Sequence, residues 1–451
     1  MGDASQPTVA SARGDEFSFR YRALVLGLLI VVYTFNFIDR QIVGVLAVPI
    51  KAELALTDTQ LSLMGGLAFA LFYTFLGIPI AWLADRRSRT WIMTWALAIW
   101  SAMTALCGFA QNFVQLFAAR LGVGVGEAGG VAPAYALIAD YFPSDQRARA
   151  LGVYSFGIPI GSALGIVLGG VLSELMGWRT AFFTVGLMGV AVAPIFRLIV
   201  REPTRGWYEG GGKTAAPAPV RDVARTLARK RSFWALSLGA ASSSMVGYGL
   251  IFWLPSFFVR SFPAELPGFF AWAPAALFPQ DPSPLVYASY FFGLILLIGG
   301  ITGIWVGGLL ADRLGREEKR AYGLIPAAAL AATLPFFLIG VLASNLILVF
   351  VAFLALQALA VIWLGPVLSA FQHLAPPNMR ATASALFLFI SNLIGLGVGN
   401  LVIGALSDAL NARFGDESLR YAILSCTIFY VVAAALFYGA SRTLDRDWEK
   451  A

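Results

Sequence analysis

The sequence has few charged residues and almost none of the side chains used in metal or covalent catalysis. Charged residues make up 13% of the 451 positions, against about 25% in a typical soluble domain. Because there are two cysteines and one histidine, we expect neither a disulfide framework nor a zinc site. HExxH, GxSxG and Walker signatures are also lacking, which argues against an enzyme, and we expect no cofactor.

Long apolar runs take the place of the missing charge. Hydrophobic residues make up 59% of the chain, and a helix that spans a bilayer needs about 20 of them in succession. Hydropathy and loop breaks delimit twelve such runs: 21–49, 60–84, 90–110, 113–138, 148–174, 179–200, 233–259, 285–311, 321–342, 345–371, 381–409 and 420–440. The chain is therefore predicted to be an all-α polytopic membrane protein with twelve transmembrane helices.

The basic residues are distributed unequally between the two sides of this topology. Of the 32 lysines and arginines, 25 fall on the side that holds both termini, two lie within spans, and five fall on the opposite side: Lys51, Arg179, Arg260, Arg413 and Arg420. This asymmetry predicts cytoplasmic termini. The net charge of +7 then indicates topology and attraction to anionic lipids rather than nucleic-acid binding. The lack of any Asn-x-Ser/Thr sequon favours a bacterial inner membrane.

The chain contains an internal repeat. The segment 81–89, with Asp85-Arg86, recurs 227 residues later as 308–316, with Asp312-Arg313. Two related six-helix halves joined by a cytoplasmic linker are typical of a transporter that binds a small substrate near the midplane between the halves. The predicted segments are an N-terminal segment 1–20, a first half 21–200, a linker 201–232, a second half 233–440 and a tail 441–451. We expect a monomer.

Four charged residues interrupt the apolar runs of the first half. They are Asp39, Arg40, Arg120 and Glu127, and each costs roughly 2.5–3.5 kcal/mol to place at the centre of a membrane helix. At 1.5 Å per residue, Asp39 lies about 25 Å along the first span and Glu127 about 21 Å along the fourth. Since these two spans run in opposite directions, the two acids are expected at overlapping depth near the middle of the first half.

The chemistry of these four residues suggests coupled binding of a proton and an anion. We expect Asp39 and Glu127 to take up and release protons, because a carboxyl whose arginine partner leaves changes its affinity for protons. We expect Arg40 and Arg120 to bind a substrate phosphate, since a guanidinium group contacts phosphate through two hydrogen bonds. The alternative is a static network of buried ions that stabilises the first half.

The second half has no acid or base in the middle of a span. Its polar side chains are hydroxyls and amides, which are also common in contacts between membrane helices. Candidate substrate-binding residues are Ser244, Tyr248 and Asn392 of this half and Asn36 of the first. The only histidine, His373, is interpreted as an interfacial residue.

One connection on the predicted outer side is rich in proline and aromatic residues. It spans 260–284 and contains six prolines interleaved with phenylalanines and Trp272. This composition fits a segment lying in the outer headgroups, where it would act as a lid over a lipid entrance. It fits equally well a loop packed on the neighbouring helix ends.

Three motifs resemble those of the major facilitator superfamily. They are the repeated Asp-Arg loop at 85–89 and 312–316, Arg120-x-x-x-Gly124-x-Gly126, and Gly157-Ile-Pro-Ile-Gly161. The resemblance implies that superfamily's fold and rocker-switch alternating access between two pseudo-symmetric halves. It also implies a cytoplasmic gate of salt bridges that forms when the molecule opens outward: Asp85, Arg86, Arg89, Asp312, Arg313 and Arg316.

The first third of the chain resembles the spinster-like branch more closely. The matching segments are Asn36-Phe-Ile-Asp39-Arg40-Gln41, residues 56–61 and Gly126-Glu127-Ala128. The resemblance implies a secondary active transporter that moves a lysolipid or a sphingosine-1-phosphate-like lipid and couples this movement to protons. Alternatives within the superfamily are a proton-driven multidrug exporter and an organic-anion transporter, and a more remote one is a passive lipid facilitator or scramblase.

Overall fold

The computed structural model describes residues 16–84, 86–209, 219–376 and 379–448. In these ranges it is almost entirely helical and has no β-strand. Ten helical stretches are long and apolar enough to cross a membrane. Two of them, Arg149–Ile199 and Thr382–Ser441, contain 51 and 60 residues. A continuous helix of 51 residues would be about 76 Å long, more than twice the thickness of a bilayer core.

Each of these two long stretches is divided by a glycine. Gly177 has φ 79° and ψ 159°, and Gly415 has φ 53°, conformations that other residues rarely adopt. Counting two spans for each stretch gives twelve spans within the described residues, which confirms the prediction. The spans are α1 Phe19–Val45, α2 Asp58–Ala84, α3 Arg89–Cys107, α4 Phe113–Tyr141, α5 144–176, α6 178–199, α7 Arg231–Ser261, α8 Pro284–Glu317, α9 Ala321–Leu342, α10 Leu346–Phe371, α11 Arg380–Phe414 and α12 418–441.

The first and last described residues of the chain and the described parts of the linker lie at one end of the bundle, here called the terminal face. Here the Tyr21 hydroxyl donates to the carbonyl of Ile199 over 2.7 Å. The linker forms a short helix, Val220–Ala228, named the linker helix, which contacts α7 and α11. The opposite end is named the distal face, where Trp178 and Arg179 donate to the carboxylate of Glu53.

Helix α2 is irregular where it meets the second half. Thr57 and Gln60 form a reciprocal capping box that starts the helix, and Leu63–Leu67 then form a π-helical turn. Such turns are rare and are often found at functional sites. A Cβ atom on Gly66 would lie 2.8 Å from the carbonyl oxygen of Leu396 in α11. Glycine here therefore allows the backbones of the two halves to approach closely.

The loop between α7 and α8 packs on the ends of neighbouring helices. Phe262, Leu266 and Phe270 are buried, and the ring of Phe269 lies 4.9 Å from that of Phe291 in α8. Other residues along the loop are exposed, among them Trp272 with 73% and Leu277 with 54% accessible. The structure thus shows that part of the loop packs on helix ends, and a lid over a lipid entrance stays a prediction.

Candidate functional site

The four buried charges of the first half lie together where α1 and α4 meet. Arg40 Nε donates to Glu127 Oε2 over 2.8 Å. Arg120 Nη1 lies 3.4 Å from the backbone carbonyl of Asp39, within hydrogen-bonding distance. Neighbouring residues of a helix point about 100° apart, so the Asp39 side chain turns away from Arg40 towards Trp100 and Thr104 of α3. Asp39 and Arg40 are thus not paired with each other, as expected from the sequence.

Hydrogen bonding within this cluster is incomplete. Asp39 and Arg120 are 1% exposed and Glu127 is 0% exposed. Within the cluster, the buried atoms without a close hydrogen-bond partner are both carboxylate oxygens of Asp39, Oε1 of Glu127, Nη2 of Arg40, Nε of Arg120 and the side-chain amide of Asn36. Buried polar groups are normally paired, and unpaired ones are costly. This concentration of unpaired groups is therefore unlike the rest of a stable interior and suggests a binding role.

Aromatic rings hold the Arg40 guanidinium in place. Its carbon atom lies 5.1 Å from the ring centroid of Phe37, 4.9 Å from that of Phe69 and 4.6 Å from that of Tyr73. Each distance is within the range of a cation–π interaction. Arg40 is thus retained by the rings of the first half in addition to its ion pair with Glu127.

A small cavity beside the cluster reaches the second half. Its volume is about 20 Å³, enough for one water molecule. Its polar lining comes from Arg40, Gln41 and Arg120 on one side and from Tyr248 of α7 and Asn400 of α11 on the other. The charged cluster therefore lies at the boundary between the halves.

The structure brings only some of the predicted substrate-binding residues to this cavity. Tyr248 lines it, and Asn36 is buried close to Glu127. Ser244 instead hydrogen-bonds to Ser391 over 3.3 Å, which is a contact between α7 and α11 of the same half. Asn392 is half-buried on α11 and is not part of the cavity lining.

Asn400 was not among the residues predicted to bind substrate, because the second half contains many polar residues of the same kind. Nothing in its local sequence distinguishes it from an ordinary packing contact. Its place at the cavity follows from the close approach of α2 and α11 at Gly66.

The predicted cytoplasmic gate is only partly described. Asp85 lies outside the described residues, as do the side chains of Asp312 and Arg316. Arg313 is exposed, and Arg86 is exposed with its guanidinium over the ring of Trp82.

Arg89, the remaining predicted gate residue, is buried and bonds to Asp140 and Glu202 of its own half. Of the gate arginines whose side chains are described, none contacts the opposite half. In this conformation the gate is not formed by these residues.

Glu202 organises the start of α3. Its carboxylate accepts hydrogen bonds from the backbone N–H groups of Arg89 and Thr90 and from the Ser88 hydroxyl. Burial raises the pKa of Glu202, but these donors and the Arg89 guanidinium have the larger effect. Together they lower the pKa from its ordinary value of 4.5 to about 2. The ionised carboxylate thus caps α3 and interacts favourably with the positive end of the helix dipole.

On the distal face, ion pairs and hydrogen bonds join the two halves. The Asp58 carboxylate, at the start of α2, accepts from Arg260 Nη2 over 3.1 Å and from the Ser407 hydroxyl over 2.9 Å. Asp408 accepts from the backbone N–H of Thr59 over 2.8 Å and from its hydroxyl over 2.6 Å. We call these five residues the distal latch.

The distal latch shows which side of the molecule is closed. Asp58 is only 3% exposed in this network, and the neighbouring pocket of 560 Å³ is lined by residues of both halves. Asp408 lies near the end of α11, and nothing in its local sequence indicates its partners. With the latch formed here and the described part of the predicted gate unformed, the structure is closed at the distal face.

Comparison with known proteins agrees with this architecture. The sequence model of the Major Facilitator Superfamily matches residues 29–400. An MFS-type efflux pump of Mycolicibacterium smegmatis is 32% identical over 98% of each chain. Protein spinster homolog 1 of Rattus norvegicus is 28% identical over 96% of this chain and 83% of its own length.

Comparison with solved structures also relates this chain to Spinster. A bacterial homolog of the human lysosomal transporter Spinster, in an inward-facing and unoccupied conformation, superposes with a TM-score of 0.81 at 30% identity, covering 96% of this chain and all of that one. The inward-facing, occupied conformation gives a TM-score of 0.79 at the same identity. The chain therefore belongs to the major facilitator superfamily and to its spinster-like branch.

Proposed function

We propose that this transporter couples the movement of protons to that of an amphipathic lipid with an anionic headgroup, such as a lysolipid or a sphingosine-phosphate-like molecule. The observation that carries the proposal is the buried Arg40–Glu127 pair at the boundary between the halves. The substrate class is what the resemblance of the sequence to the spinster-like branch implies, and the distal latch supports a rocker-switch mechanism. The expected partners are a small amphipathic substrate, protons and membrane lipids, with no nucleic acid, and the protein is expected to act as a monomer.

The pair provides a direct route for coupling. A lipid phosphate that enters between the halves competes with Glu127 for the Arg40 guanidinium, which suits phosphate because it donates two parallel hydrogen bonds. Glu127 then loses its ion pair with Arg40, and an ionised carboxylate left buried without a charged partner is costly. Uptake of a proton removes that cost, so lipid and proton binding become linked.

Asp39 and Arg120 complete the cycle in this proposal. Arg120 is anchored to the Asp39 backbone and not to its carboxylate, so its guanidinium has free donors for a second phosphate oxygen. Asp39 lies deeper, beside Trp100 and Thr104, and acts as the alternative proton carrier. The hydroxyl and amide of Tyr248 and Asn400 contribute neutral contacts from the second half.

The test is a proton measurement on purified protein. A lysophospholipid is added to weakly buffered wild-type protein, Glu127→Gln and Asp39→Asn, and the pH change is recorded. We expect a proton change in the wild type that is lost in one of the two variants. Asp140→Asn, which removes a carboxylate paired with an arginine away from the interface, is the matched control and should behave like the wild type. Lipid binding without any proton change in the wild type would refute proton coupling.

A second function is favoured by one comparison. The Mycolicibacterium smegmatis relative is named an efflux pump, and the rings around Arg40 form an aromatic surface suited to planar cationic drugs once the arginine moves. This proposal predicts proton changes on addition of cationic drugs and none on addition of lysophospholipids. The same pH recording therefore distinguishes the two substrates.

A further inference from the structure

We propose that the linker helix is a docking surface for anionic phospholipids of the leaflet at the terminal face. The helix has two distinct sides. Val223 and Leu227 are buried against the bundle, while Arg221, Arg225 and Arg229 are exposed. Residues four apart share a helix face, so the three arginines form one continuous stripe, named the arginine stripe.

The arginine stripe is not neutralised by the protein. Among the described residues, none of the three arginines takes part in an ion pair. The acid within the linker helix, Asp222, is exposed three positions before Arg225 and forms no ion pair among the described residues. With three arginines and one aspartate, residues 220–229 thus present a net charge of +2 on the outside of the molecule.

The depth of the linker helix places the arginine stripe beside the membrane surface. Trp234, in the first turn of α7, is 43% exposed, and its indole N–H donates to the carbonyl of Ala228 over 3.1 Å. Exposed tryptophans at the ends of membrane helices lie at the level of the lipid headgroups. The end of the linker helix is therefore held at that level, within reach of headgroup phosphates.

The shape of the stripe favours lipid over free phosphate. At 1.5 Å per residue, the arginines are about 6 Å apart and the stripe is about 12 Å long. One phosphate ion contacts only part of such a row, whereas a bilayer surface offers phosphates along its whole length. Guanidinium groups bind these phosphates with paired hydrogen bonds.

The test counts bound lipid on the full chain in a neutral detergent by native mass spectrometry. Phosphatidylglycerol and phosphatidylcholine are titrated separately onto wild-type protein and onto the triple variant Arg221→Gln, Arg225→Gln, Arg229→Gln. Each basic residue near an anionic surface strengthens binding about fivefold. We therefore expect phosphatidylglycerol affinity to fall by roughly 100-fold in the variant, with phosphatidylcholine binding unchanged.

The matched control removes the same charge from the same face. Arg20, Arg442 and Arg446 are exposed arginines there, and their triple glutamine variant should keep wild-type affinity for phosphatidylglycerol. An equal loss in both triple variants would overturn the proposal, since it would indicate diffuse attraction to the whole face. Competition by inorganic phosphate at the same concentration as the lipid headgroup would also overturn it.

Discussion

Replacing Asp58 with asparagine is expected to open the distal face. Asp58 receives three hydrogen-bonded partners: Lys51 over 2.6 Å, Arg260 over 3.1 Å and Ser407 over 2.9 Å. Lys51 belongs to the same half, so its bond survives when the halves separate. Of the bonds to the Asp58 carboxylate, only those from Arg260 and Ser407 cross between the halves and stabilise the closed distal face relative to an open one.

The size of the effect follows from these two crossing bonds. Hydrogen bonds to charged groups contribute about 1.5–3 kcal/mol each, but Arg260 is 23% exposed and water replaces part of its bond. The amide of asparagine also keeps an oxygen for Ser407. We therefore expect a net loss of about 2 kcal/mol from the closed state, which changes the ratio of closed to open molecules roughly 30-fold.

Spin labels on the two halves measure this change directly. Gln111 and Ala412 are exposed at the distal face on opposite halves, and both native cysteines are buried, so cysteines introduced at these two positions can be labelled selectively. Double electron–electron resonance should show one short distance in otherwise wild-type protein and a second, longer population in Asp58→Asn.

Glu53→Gln provides the matched control. Glu53 is also an acid on the distal face with an arginine partner, but both Arg179 and Trp178 belong to its own half. Removing the Glu53 charge should leave the distribution of distances between the two spin labels unchanged. An unchanged distribution in Asp58→Asn, or the same change in both variants, would show that the distal latch does not determine the conformation.

Three further outcomes are expected. Gly404→Ala should lengthen the same distance without removing a charge, because its Cβ would lie 2.0 Å from the Ser62 hydroxyl oxygen; Gly27→Ala, which meets nothing within 4 Å, should not. Arg40→Lys should weaken lysophospholipid affinity about tenfold in a binding titration, because lysine lacks the paired donors of a guanidinium group. Glu202→Gln should lower thermal stability at pH 7 by about 1–2 kcal/mol through loss of a helix cap. Since the pKa of Glu202 is lowered to about 2, its contribution is complete above the ordinary value of 4.5 and is lost as the pH falls towards 2, so the difference in melting temperature should narrow in acid.

Local sequence was sufficient to predict the helices and the grouping of the four buried charges. Apolar runs of fixed length determine membrane spans, and the rise per residue determines the depth of Asp39 and Glu127. It was not sufficient to predict which atoms pair. Arg120 contacts the backbone carbonyl of Asp39 and Arg40 contacts Glu127, and this depends on how α1 and α4 are rotated against each other.

Contacts between the halves could not be predicted in the same way. Asp58 and Ser407 are 349 positions apart, and their meeting depends on the packing of two entire six-helix units. The internal repeat also suggested equivalent roles for the two Asp-Arg loops. The contact of Arg89 with Glu202, which lies just after α6 and caps α3, could not be predicted from the repeat, because Glu202 lies 113 positions away.

The distribution of polar contacts indicates what drives the conformational change in the proposed coupling. On the distal face, the halves are joined by formal charges, whereas at the cavity the second half offers only Tyr248 and Asn400 as polar groups. When Arg40 is released from Glu127, no other acid lines the cavity to compete for its guanidinium. A substrate phosphate is therefore the available partner for Arg40. Closing the halves around that phosphate removes it from water, which strengthens its bonds to Arg40 and offsets the loss of the distal latch. On this reasoning, the lipid headgroup supplies the binding energy that opens the distal face, and protonation of Glu127 allows the headgroup to take its place.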